Sequence, residues 1–211
     1  MTFAEILYAE EFRAFSAADL QTPPPDSPVL FYGSSSIRLW DGLVEAFPDE
    51  PILNRGFGGS TLLDCEHCAS RLIIPYAPRA IIFYAGDNDL DQGASPWDVL
   101  ARFESMVRII RGGLGEVPVT FIAIKPSPSR WGNIANIMRT NQLVQQFTTQ
   151  HPALHFVDVV PSMLTPQGQP RHELYIEDGL HLSRSGYLLW NQHLQEHPEI
   201  WAHPLNPDAI I

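Results

Sequence analysis

The sequence predicts a three-layer α/β/α sandwich built on a five-stranded parallel sheet. Three observations point there. Five short apolar runs rich in branched and aromatic residues recur along the chain, and stretches of helical period separate them. The segments directly after the first four runs are small, polar or glycine-rich, as expected of loops at the carboxyl edge of such a sheet.

In chain order, residues around Ala4 to Leu20 read as an extra helix. The linker Thr22-Pro23-Pro24-Pro25-Asp26 follows, so about 1–28 precede the sheet. The strands are expected at Val29–Tyr32, Pro51–Asn54, Ala80–Tyr84, Val119–Ile124 and Leu154–Val159. Between the third and fourth, Val99, Leu100, Phe103, Met106, Val107 and Ile110 keep helical spacing. Ser95 is placed to cap that helix, Pro96 suits its first turn, and Gly112-Gly113 are expected to end it. Ile134, Ile137, Met138, Val144 and Phe147 mark another helix, and Tyr187, Leu188, Trp190 and Leu194 a closing one. With no internal repeat or low-complexity tract, residues 1–211 read as one domain.

Composition narrows the function. Thirteen Lys and Arg stand against 24 Asp and Glu, a formal charge of −11, and such a surface repels phosphate backbones and anionic headgroups. Nucleic acid and peripheral membrane partners are therefore not expected, whereas a small neutral or apolar substrate is. No apolar run approaches the roughly 18 residues needed to cross a bilayer. The acidic first residues, with no basic residue before Arg13, lack the pattern of a signal peptide, and the protein reads as cytoplasmic.

Cys65-Glu66-His67-Cys68 contains both cysteines of the chain. A metal or redox role is the sharp reading. A zinc site needs four ligands, however, and no second cluster lies at a suitable spacing. The pair also falls in an amphipathic helical stretch where small thiols pack well, so no metal and no cofactor is expected.

The segments after the strands are Gly33-Ser34-Ser35-Ser36, Arg55-Gly56-Phe57-Gly58-Gly59-Ser60, Gly86-Asp87-Asn88-Asp89 and Lys125-Pro126-Ser127-Pro128-Ser129-Arg130-Trp131. Acyl transfer by serine requires a base for the hydroxyl proton, an orienter for that base, and donors for the oxyanion. Asp178-Gly179-Leu180-His181 can supply base and orienter together, because two intervening residues in a turn let carboxylate and imidazole face the same way.

Four blocks taken in order resemble the SGNH hydrolase superfamily, the GDSL family of esterases and lipases. Phe31-Tyr32-Gly33-Ser34-Ser35-Ser36-Ile37 resembles the Gly-Asp-Ser block, with Trp40 placed as in many members. Asn54-Arg55-Gly56-Phe57-Gly58-Gly59-Ser60 is similar to the glycine block. Gly86-Asp87-Asn88-Asp89 fits Gly-x-Asn-Asp, and Asp178-Gly179-Leu180-His181 fits Asp-x-x-His. The resemblance implies a flavodoxin-like sheet and ester hydrolysis through an acyl-enzyme. It makes Ser35 the nucleophile, His181 the base and Asp178 its orienter, with the Ser35 amide, the Gly59 amide and the Asn88 side chain as oxyanion donors. Ser35 and Gly59 are each expected where a strand gives way to a helix, with free N–H groups and a helix dipole facing the developing charge.

The chain departs from the family in one place: the acidic residue before the nucleophile is Ser34 here. Chemistry alone leaves Ser34 and Ser36 open as nucleophiles; local hydrogen bonding in the turn is the plainer role for both. Arg130 and Trp131 either line the substrate pocket or tie down their own loop. Arg55 and Asp89 read as hydrogen-bonding supports of the site, Asp87 as a loop residue, and His151, His155, His172, His193, His197 and His203 as surface or packing residues. The rival function is a flavodoxin-like module in which Gly33–Ser36 cradles an anion or a flavin phosphate. That reading leaves Asn88, Asp178 and His181 without a task.

Overall fold

The computed structural model describes residues 3–201. Before the sheet come α1 (Phe3–Leu7) and α2 (Ala9–Gln21). The sheet strands are β1 (Val29–Gly33), β2 (Ile52–Gly56), β3 (Ala80–Tyr84), β4 (Val119–Ile122) and β5 (Leu154–Val157), all parallel, in the order β2-β1-β3-β4-β5. This is the predicted flavodoxin-like α/β sandwich. Helices α3 (Ser35–Arg38) and α4 (Leu43–Ala46) follow β1, α5 (Leu62–Leu72) follows β2, and α6 (Asp87–Asp91) and α7 (Pro96–Leu114) follow β3. Helix α8 (Ile134–Thr149) precedes β5, and α9 (Arg184–Gln195) comes after it.

Alternation along the strands sends side chains to two cores. Leu30, Tyr32, Ile81, Phe83 and Phe121 pack against α2, α5, α7 and α8 on one face; Phe31, Ile82, Tyr84 and Ile122 pack against α3 and α9 on the other. Trp40 and Trp190 meet edge to face at 5.4 Å and close the second core.

Several boundaries differ from the sequence expectation, each for a local reason. The N-terminal helix breaks at Tyr8, whose hydroxyl reaches across to Asp64 on α5. Strand β2 runs two residues past Asn54, in register with β1 through Gly33 and Gly56, and the Asn54 side chain ties the Gly56 amide to the Ile37 carbonyl. The Ser95 cap forms as expected, reciprocated by Asp98 in a capping box. Gly112-Gly113 do not end α7. Gly113 stays helical because α7 crosses so close to Ile74 that a Cβ there would lie 2.6 Å from its Cδ1, and the helix ends at Gly115 with φ +73°.

Strand β4 stops short of Ile124 because Asn141 of α8 takes over the ladder. Its Oδ1 accepts from the Ile124 amide at 2.8 Å and its Nδ2 donates to the Ile124 carbonyl at 2.9 Å. Both bonds are buried, so Asn141→Ala orphans a donor and an acceptor at a cost of about 1–3 kcal/mol each. The expected outcome is a lower urea midpoint with an unchanged slope; a midpoint equal to wild type would refute this account of the strand end.

Candidate active site

The chain turns sharply after β1. Gly33 has φ +139°, and a Cβ there would lie 1.9 Å from the Tyr84 carbonyl oxygen at the end of β3, so only glycine fits. The Ser34 amide then donates to that same oxygen at 2.9 Å, and Ser35 becomes the first residue of α3. Among the described residues the Ser35 amide has no acceptor, as its place at a helix start dictates. With four residues, α3 is too short for a developed dipole; the open N–H is what remains of the expected anion preference.

Asp178 and His181 form a self-contained turn. Asp178 Oδ1 accepts from the amides of Leu180 (2.8 Å) and His181 (2.9 Å), Gly179 adopts φ +63°, and the Ile176 amide donates to the His181 carbonyl. This leaves Asp178 Oδ2 for His181 Nδ1 at 2.6 Å. Nε2 lies 3.0 Å from Ser35 Oγ. A carboxylate only accepts, so Nδ1 carries the proton and the Nε2 lone pair of the neutral ring faces the hydroxyl. Modest burial raises the Asp178 pKa, but the His181 hydrogen bond and the two amides outweigh it and bring it from 3.8 down to about 2.

The glycine block presents a second open amide. Gly59 adopts φ +74°, a Cβ there would meet nothing within 4 Å, and its amide has no acceptor among the described residues. It lies in the turn between β2 and α5, three residues before the helix rather than at its start, so the dipole argument weakens here too. Asp89, almost fully buried, accepts from the Leu62 amide and from Arg102 and so holds the start of α5. Burial outweighs these donors and raises its pKa. Asp89 thus makes the hydrogen bonds expected of it, though to the start of α5 and to Arg102.

Asn88, second in α6, sends Nδ2 to Ser34 Oγ (3.1 Å) and to the Ser60 carbonyl (3.0 Å), so it bridges the β1 and β2 loops. Ser34 therefore bonds across the site, not within its turn as expected. Ser36, also expected to bond locally, is buried with its hydroxyl turned to the Tyr84 phenol, beyond its own turn. Sequence reasoning missed what lies beneath. Lys125, 1% exposed, donates to Asp87 Oδ2 (2.9 Å) and the Tyr84 hydroxyl (3.0 Å), while Asp87 Oδ1 accepts from the Asn88 amide. Asp87 is thus an ion-pair partner rather than a plain loop residue. Burial alone would raise its pKa, and Lys125 turns the net shift downward. The signal was a lysine directly after an apolar strand, a place where a charge survives only when paired.

Arg130 ties to Asp91 on α6 and lies 3.4 Å from Asn88 Oδ1; Trp131 is half-buried beside it. Ser129, also missed, fixes the Asp178 turn by donating its amide (3.0 Å) and hydroxyl (3.1 Å) to the Gly179 carbonyl. Arg55 does not support the site. It turns to the N-terminal helices, where it pairs with Asp19 between the rings of Phe15 and Tyr76.

Elsewhere, Cys65 and Cys68 are buried free thiols, and burial pushes Cys68 up to about 12 and Cys65 well above its ordinary value. His193 meets Ser162 at 2.9 Å, His151 bonds the Phe147 carbonyl and His197 pairs with Glu199, so these imidazoles have partners the sequence did not suggest; His203 lies outside the described residues. A groove of about 670 Å³ begins beside the site at Leu39 and Leu182 and runs between α4 and α9, without including Ser35, His181 or Asn88 in its walls. Among the described residues no helix is long and apolar enough to cross a membrane.

The model of the GDSL-like lipase/acylhydrolase family matches residues 26–189. The chain belongs to that family. It is 27% identical over 183 residues to platelet-activating factor acetylhydrolase IB subunit alpha1 of Bos taurus, covering 81% of this chain and 73% of that protein. In fold it is similar to a GDSL-like lipase from Bacteroides thetaiotaomicron VPI-5482 (TM-score 0.72, 17% identity, 89% and 97% of the two chains). It is also similar to a lipase/acylhydrolase from Enterococcus faecalis (TM-score 0.64, 21% identity, 80% and 94%). As a GDSL-like acylhydrolase, the chain is an enzyme acting on esters.

Because the Asp178 carboxyl is held near 2, the stability it contributes is present above its ordinary 3.8 and lost as pH falls through the lower value. An NMR titration should therefore place the protonation of that carboxyl below its ordinary value. Protonation at or above the ordinary value would mean that the turn does not hold it as described.

Proposed function

We propose that this acylhydrolase cleaves a small carboxylic ester, acyl or acetyl, through an acyl-enzyme on Ser35. The observation that carries the reading is the continuous relay from Asp178 Oδ2 through His181 to Ser35 Oγ, 2.6 and 3.0 Å long. Ser35 Oγ attacks the ester carbonyl carbon while Nε2 takes its proton, and the carbonyl oxygen becomes an anion facing the Ser35 and Gly59 amides and Asn88 Nδ2, whose hydrogen bond to Ser34 Oγ gives way to it. Collapse breaks the bond to the alcohol oxygen, which leaves with the proton from Nε2. Water then attacks the acyl-enzyme by the same route, releasing the carboxylic acid and restoring the Ser35 hydroxyl.

A small acyl group fits the word acetylhydrolase in the bovine relative's name. On this reading Trp131, half-buried in the loop after β4, flanks the substrate. The rival reading, anion or flavin-phosphate binding at Gly33–Ser36, gains no comparable support: the Ser34 and Ser35 hydroxyls there already engage Asn88 and His181.

Ser35→Ala should lose both hydrolysis of a p-nitrophenyl acyl ester and labelling by a fluorophosphonate, while Ser34→Ala and Ser36→Ala keep the label. Loss of label in Ser36→Ala alone would move the nucleophile by one residue. Asn88→Ala should lower kcat on the order of 100- to 1,000-fold with little change in KM. A destabilised Asn88→Ala variant with near-normal kcat would remove its oxyanion role.

A further inference from the structure

Arg130 meets the oxyanion residue from behind. Its guanidinium lies 3.4 Å from Asn88 Oδ1 and pairs with Asp91, one turn further along the same short helix, so it bridges two turns of α6. Its backbone is fixed in turn by a hydrogen bond from its amide to the Ser127 carbonyl. The three partners of the Asn88 side-chain amide leave only one orientation. The Ser60 carbonyl can only accept, so the atom facing it is nitrogen; the guanidinium can only donate, so the atom facing it is oxygen.

We propose that Arg130 is a positioning residue of the oxyanion site that acts through Asn88. This rests on the oxyanion role given to Asn88 above. Without the guanidinium, the Ser60 carbonyl alone still selects the orientation, and the amide is held less firmly against a flip that would present Oδ1, an acceptor, to the developing anion. With it, the amide dipole is aligned so that positive charge behind Oδ1 strengthens Nδ2–H as a donor. The gain is largest when the substrate oxygen carries full charge, and therefore falls on kcat rather than on KM. Arg130 touches no reacting atom in this scheme, which separates it from a substrate-binding arginine.

The test is a double-mutant cycle on the whole chain with a short p-nitrophenyl ester, reading kcat, KM and melting temperature. Arg130→Met should lower kcat about tenfold at unchanged KM, the scale of one charge-assisted hydrogen bond. Arg130→Lys should recover only part, because an ammonium lacks the planar fork. Added guanidinium ion should partly restore Arg130→Ala. In an Asn88→Ala background Arg130→Met should cost nothing further. A raised KM, losses that multiply in the double variant, or unchanged kcat in a merely less stable Arg130→Met would each overturn the proposal while leaving the Asn88 assignment intact. Normal kcat in Asn88→Ala would overturn both.

Discussion

The backbone of β1 and that of β3 approach so closely at Gly33 and Tyr84 that no side chain fits between them, and the geometry of the site follows from that contact. Because Tyr84 keeps its carbonyl toward β1, the Ser34 amide can bond it, and the chain leaves the sheet at an angle that starts α3 at Ser35. Ser34 then faces Asn88 and Ser35 faces His181. The second loop nests against the same turn: a Cβ on Gly56 would lie 2.4 Å from the Arg38 amide, and one on Gly58 2.8 Å from Arg38 Nε. Glycines at three positions thus bring two loops within reach of one Asn side chain.

Helix α6 shows how an acidic chain assembles such a site. Its five residues contain Asp87, Asp89 and Asp91, and each is matched by a cation from elsewhere: Lys125 after β4, Arg102 on α7 and Arg130 in the β4 loop. The pairs at Asp87 and Asp89 are buried and contribute little net stability, since desolvation offsets much of the attraction, but losing one partner is costly; Asp91 is exposed and its pair weaker. Their effect here is placement. Three pairs radiating from one short helix fix its rotation, and with it the direction of Asn88, more tightly than packing of so few residues could.

The five strands were legible because each is a run of branched and aromatic residues with a polar loop after it, a pattern set by burial on both faces. Catalytic candidates were legible because their blocks are short and contiguous. Strand ends were not, because Asn54 and Asn141 replace or extend ladder bonds with side chains, and an asparagine in sequence does not reveal whether it bonds backbone. The roles of Lys125 and Ser129 depend on partners 38 and 50 residues away. Arg55 was misjudged for the mirror reason: it sits beside site residues in sequence, yet strand alternation sends its side chain to the opposite face from Asn54, toward α2.

The proposed base and orienter, His181 and Asp178, are organised on a different principle from the rest. All the bonds that shape Asp178 and His181 lie within six residues, so the turn can set the imidazole tautomer by itself. What it cannot set is its distance from Ser35, which lies 146 residues away. That distance is fixed by anchors outside the turn. Ser129 grips the Gly179 carbonyl, the bridge between Tyr175 and Leu182 closes its base, and the Ser183 amide bonds the Leu174 carbonyl before α9 begins. The electrostatics of His181 are therefore local, while its reach to Ser35 is a property of the fold. Disturbing an anchor should misplace a correctly polarised histidine, whereas disturbing Asp178 should misorient a correctly placed one.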